Sequence, residues 1–156
     1  MEPWKELLVY WQAKHVGDRP PSRQDIDPVV DLPHLAANLL IADVVPEGYR
    51  YRLVGSAVVE RHKEEMTGKL AGTGKFTQRV RSQMIEGFDA ARDQQKPRLL
   101  KSGVIASSDH AAAVTIILPL VAKTGETQKL LVGVFYDRRF DVIDQIDYLD
   151  ISQPSL

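Results

Sequence analysis

The sequence predicts an α+β fold, a five-stranded antiparallel sheet with helices on one face and an N-terminal helical extension. Three observations carry this. Two short apolar runs, 39–45 and 49–55, flank the turn residues Pro46-Glu47-Gly48 and read as a hairpin. Phe76, Val80, Met84 and Phe88 then recur every fourth residue, the pattern of a long helix with one apolar face, ended at Lys96-Pro97. Three further runs, 98–106, 112–121 and 129–137, are separated by Ser107-Ser108-Asp109-His110 and Lys123-Thr124-Gly125-Glu126 and read as a meander. A helical crossover between hairpin and meander leaves space for a small cavity between sheet and helix.

The remaining elements follow in order. Trp4, Leu7, Leu8 and Trp11 share one helix face, with Pro3 suited to the first turn and Gly17 marking the end. Such a stripe either docks on the sheet or meets a copy of itself, and the expectation is a homodimer. Gly17 to Arg23 is a surface loop, and Asp27-Pro28 caps a short helix that Pro33 interrupts. Arg50, Tyr51, Arg52 and Leu53 alternate polar and apolar, so one face of that strand is wet or lines a polar cavity. Ser56 caps a helix running to about Met66, with Gly68 just beyond it, and Gly68–Lys75 reads as a flexible connection. The chain divides into an extension (1–37), a core (38–137) and a C-terminal tail (138–156) of a single domain, with no evident internal repeat.

Composition narrows the function. A chain of 156 residues buries one sizeable core. A net charge of -1 lacks the basic surface of a general nucleic-acid binder. The absence of cysteine excludes disulfides, thiolate metal sites and cysteine nucleophiles. The longest apolar run, 111–122, is short of the ~20 residues that span a bilayer, and no signal peptide is visible, so a cytoplasmic location is expected.

Several groups invite a chemical reading. Gly68 to Lys75 departs from the phosphate-loop spacing and has Phe76 where a hydroxyl belongs. Ser107, Ser108, Asp109 and His110 hold the letters of a catalytic triad, but neighbours on a turn cannot align as nucleophile, base and orienter. Arg52 is the candidate to hold an anionic head group, because a fixed charge entering a concave site has a purpose or a partner. Phe76, Val80, Met84 and Phe88 are core residues and, around a cavity, its helical wall.

Tyr10-Trp11 with Pro21-Ser22-Arg23-Gln24-Asp25-Ile26-Asp27-Pro28, then Tyr49-Arg50-Tyr51-Arg52-Leu53-Val54-Gly55-Ser56 and Met66-Thr67-Gly68, stand in an order that resembles a bacterial family of stand-alone PAS-like proteins. The resemblance implies helices cupping a ligand against a five-stranded sheet, and signal sensing through partner contacts. It implies no bound cofactor here: flavin and tethered-chromophore chemistry in such domains uses a cysteine, haem uses a histidine on the long helix, and 76–95 has neither. His62, among charged neighbours, reads as a solvated surface residue. The expected function is therefore a sensory or regulatory module, not an enzyme, binding a small anionic or amphipathic ligand, a regulatory protein partner, or both. The alternatives are a small cone-shaped α+β isomerase or hydratase using Asp43, and a structural dimer without ligand.

Overall fold

Helix α1 (Pro3–Ala13) forms because proline fits its first turn and its apolar residues fall on one stripe. In the computed structural model, which describes residues 1–73, 78–102, 112–137 and 146–150, that stripe is buried by the chain itself: Leu7, Leu8 and Trp11 are at most 3% exposed. It packs on one face of the sheet, and the Trp11 indole N–H donates to the Pro119 carbonyl at 2.9 Å. The stripe thus takes the docking outcome, and the apolar face on which the homodimer was argued is already covered.

The strands are β1 (Leu39–Val45), β2 (Gly48–Val54), β3 (Arg98–Ser102), β4 (Ala112–Val121), β5 (Thr127–Asp137) and β6 (Ile146–Asp150). They form one sheet in the order β2-β1-β5-β4-β3-β6, every neighbouring pair antiparallel. The first five are the expected hairpin and meander. The sixth lies in the stretch read as a tail and pairs with β3. The turn expected at Ser107–His110 lies outside the described residues.

Alternation along β5 sorts the two faces. Leu131 and Phe135 join Leu7, Leu8 and Trp11 on one side; Leu130, Val132 and Val134 meet Val58 and Phe88 on the other. After the short helix α2 (Pro28–Asp31), helices α3 (Ser56–His62) and α4 (Gln78–Gln94) cover this second side, so the sheet is layered on both faces, with the N-terminal extension supplying one layer. Gly133 marks the closest approach of α1: a Cβ there would sit 2.7 Å from the Phe135 ring and 2.8 Å from Leu7 Cδ2.

Two local corrections follow. Helix α3 stops at His62, short of Met66, because Lys63 adopts a left-handed conformation (φ 56°) whose N–H returns to the Val59 carbonyl. The segment after it is no free connection. Gly68 donates to Tyr51 O, Tyr51 to Lys69 O and Ala71 to Tyr49 O, at 2.7–3.0 Å, so Gly68–Ala71 covers the outer edge of β2.

Candidate ligand site under the long helix

Helix α4 is held unevenly along its length. In its C-terminal half Phe88 and Ala91 are buried, and the Phe88 ring meets Tyr49 edge-on at 5.2 Å. The Tyr49 hydroxyl donates to Asp89 at 2.5 Å, with the Arg92 guanidinium over the same ring. Burial, the Asp89 hydrogen bond and its charge together push the Tyr49 hydroxyl well above its usual range. The Thr127 hydroxyl donates to the Arg92 carbonyl at 2.8 Å, and Arg98 donates to Gln94. These bonds clamp the helix end to β2, β3 and β5.

Met84 and Ile85 are half-buried against the cluster formed by Leu40, Tyr51, Val58 and Val132. Among the described residues, Gln83 Oε1 on α4 and the Tyr136 hydroxyl on β5 are buried polar atoms without a hydrogen-bond partner. Tyr136 shares the β5 parity of Val132 and Val134 and so faces the helices, with the Arg61 guanidinium 5.3 Å from its ring centre. Burial pushes its hydroxyl up to about 12, against a small opposing effect of Arg61. An unpaired buried polar atom costs about 1–3 kcal/mol, so each is a place where a ligand group could be accepted. His62 is half-buried, not solvated; burial and the Arg61 charge lower its pKa.

The sequence-predicted wall is placed in part. Phe88 and Met84 face the layer between α4 and the sheet, while Phe76 and the Val80 side chain lie outside the described residues. Arg52 lies elsewhere. Ile41 pairs with Leu53 and Ala42 with Tyr51, which leaves Arg52 as the extra residue of a β-bulge. Tyr49 and Tyr51 therefore face α4, whereas Arg52 reaches round to Asp43, 2.5 Å away, with its side chain 54% exposed. Asp43 alternates with Leu39 and Ile41 and belongs to the α1 face.

The placement of Asp43 also weakens the enzyme alternative. Burial raises its carboxyl, but hydrogen bonds from Lys129 (2.5 Å) and Arg52, with their charges, outweigh that and hold it below the usual carboxylate range. An ionised carboxylate committed to two cations is poorly suited to abstracting protons in a cavity. An open cleft of about 510 Å³ lies apart from these residues, between the end of α1 and the end of α4, where Trp11, His15, Gln94 and Pro97 contribute to its lining. Among the described residues no group of histidines and carboxylates is arranged to hold a metal, and no helix is long and apolar enough to cross a membrane.

Gln83 and Tyr136 went unread in the sequence because helix and strand were read for their apolar residues alone. A hydroxyl-bearing ring on the inward parity of β5 was the available signal.

Comparison with known proteins bears on this arrangement. The PAS domain of Bordetella pertussis BvgS superposes with a TM-score of 0.54 at 14% identity, covering 72% of this chain and 90% of that one. A Rhodobacter sphaeroides LOV protein gives 0.48 at 12% identity, covering 73% of this chain and 70% of that one. An RNA-binding light-oxygen-voltage receptor gives 0.49 at 13%, covering 78% of this chain and 36% of that one. No curated protein matches significantly. The sequence profile of the PAS domain matches residues 1–136, through α1, the hairpin, both later helices and the meander. The chain belongs to the PAS domain family.

Proposed function

We propose that this chain is a sensory or regulatory PAS module that takes a small, largely apolar ligand between the N-terminal half of α4 and the sheet, and signals through contact with a protein partner. The observation that carries this reading is the pair of buried polar atoms without partners, Gln83 Oε1 and the Tyr136 hydroxyl. Both lie on elements bounding the layer in which Met84 and Ile85 are half-buried. A ligand with an apolar body and a hydroxyl or carboxyl head would cover the first and pair with the second. In this reading the head group accepts from the Tyr136 hydroxyl, and Gln83 Oε1 accepts only from a hydroxyl head; Arg52, the expected anchor, is bonded to Asp43 on the opposite face.

The test sets stability against binding. Tyr136→Phe removes an unsatisfied hydroxyl and should raise unfolding free energy by about 1 kcal/mol without ligand. The same change should shrink the thermal shift that 1-octanol or octanoate gives the wild type. A destabilised Tyr136→Phe chain whose ligand shifts equal those of the wild type would contradict the reading.

A further inference from the structure

The β3 edge of the sheet is filled by the chain's own C-terminal strand, in a register that carries information. Arg98 stands opposite Asp150 and Lys101 opposite Asp147, with Leu99 opposite Leu149 and Leu100 opposite Tyr148 between them. The cations of β3 are three residues apart, and the carboxylate residues of β6 have the same spacing. Because successive strand positions alternate, one opposite-charge position falls on each face of the sheet. Opposite charges directly across an antiparallel ladder favour that register, and like charges oppose it.

The acidic spacing extends beyond the strand. Asp141, Asp144, Asp147 and Asp150 recur every third residue, with Val142-Ile143, Gln145-Ile146 and Tyr148-Leu149 between them. That repeat escapes a reading for periods of helix or strand. Within the sheet β6 pairs with β3 alone, whereas the other edge strand, β2, is also covered by Gly68–Ala71.

We infer that the β3 edge is a docking surface for an extended acidic strand, and that β6 is its built-in, exchangeable occupant. The partner it fits is a protein segment with carboxylates three residues apart flanking an aromatic–aliphatic pair. Such a segment adds to β3 by main-chain hydrogen bonds and is selected by Arg98 and Lys101. While β6 is seated, the partner's apparent affinity is reduced by the small fraction of chains whose edge is open.

The test titrates the full chain with a fluorescein-labelled peptide of residues 145–152. The wild type binds it weakly. Asp147→Lys combined with Asp150→Lys sets like charges opposite Lys101 and Arg98, frees the edge, and binds the same peptide roughly tenfold or more tightly. A peptide with lysine at both aspartate positions binds neither chain. A second pair guards against misfolding of that variant. Ser102 and Ile146 stand opposite each other and the chain has no cysteine, so Ser102→Cys with Ile146→Cys can lock β6 by a disulfide. The oxidised chain does not bind the acidic peptide, and reduction restores the wild-type titration. Equal binding of the acidic and lysine peptides, or equal affinity of the oxidised and reduced chains, would overturn the inference.

Discussion

The two faces of the sheet are built to different standards. Against α1 the apolar residues are closely covered: Leu7, Leu8, Leu39, Ile116 and Leu131 are fully buried, and the inward indole of Trp11 finds a backbone carbonyl. Its charged groups, Asp43, Arg52 and Lys129, bond to one another. Against α4 the C-terminal half of the helix is comparably fixed, but along the other half Met84 and Ile85 are half-buried, and Gln83 Oε1 and the facing Tyr136 hydroxyl are unpaired. A chain that satisfies its polar groups so fully on one face is able to do so. The unsatisfied atoms on the other face are the ones that the proposed ligand would cover.

The comparison breaks most easily at Trp11. Trp11→Ala removes a buried ring and orphans the Pro119 carbonyl, and should cost about 3–5 kcal/mol in urea unfolding. Met84→Ala, at a half-buried position, should cost about 1–2 kcal/mol. Equal losses would erase the distinction between the faces.

Next in size is Gly133→Ala, expected to cost about 1–3 kcal/mol because its methyl intrudes on Leu7 and Phe135. In a Leu7→Ala background the loss should shrink, a coupling that a double-mutant cycle measures directly.

The smallest effect sharpens the electrostatic side. Asp43 has a lowered folded pKa, so its contribution is present above the unfolded value near 3.9 and is lost as pH falls through the folded value. Asp43→Asn should therefore cost about 1–2 kcal/mol at neutral pH, with Lys129 contributing more than the half-exposed Arg52. The gap from wild type should close as pH drops below about 4. A gap independent of pH would show that the carboxylate's charge contributes nothing.

How legible this was in the sequence depended on the kind of information involved. The strands 39–45 and 112–121 were readable to the residue because turn formers bound each apolar run. The α1 stripe was equally clear, yet a stripe does not say what it meets, and only the assembled sheet shows the uncovered face that receives it. Alternation sets Arg52 opposite Tyr49 and Tyr51, but the strand alone does not say which of its faces α4 covers, and Arg52 stands on the other one; the bulge moves Leu53 and Val54 instead. The sixth strand was missed because its charge pattern has meaning only opposite Arg98 and Lys101. Tyr136 could have been placed inward by parity with Val132 and Val134, but its environment required knowing that Arg61 lies above it.

The most direct test of the ligand layer uses the chain's own reporters. Its three methionines are Met1, 84% exposed, and Met66 and Met84 on the α4 face, while the Trp11 indole reports on the α1 face. In a chain carrying ¹³C-methyl methionine and ¹⁵N-indole tryptophan, titration with 1-octanol should move the Met84 and Met66 methyl signals. Met1 and the Trp11 indole should stay in place. A Trp11 indole that shifts while Met84 stays fixed would place the ligand on the wrong face of the sheet and contradict the account.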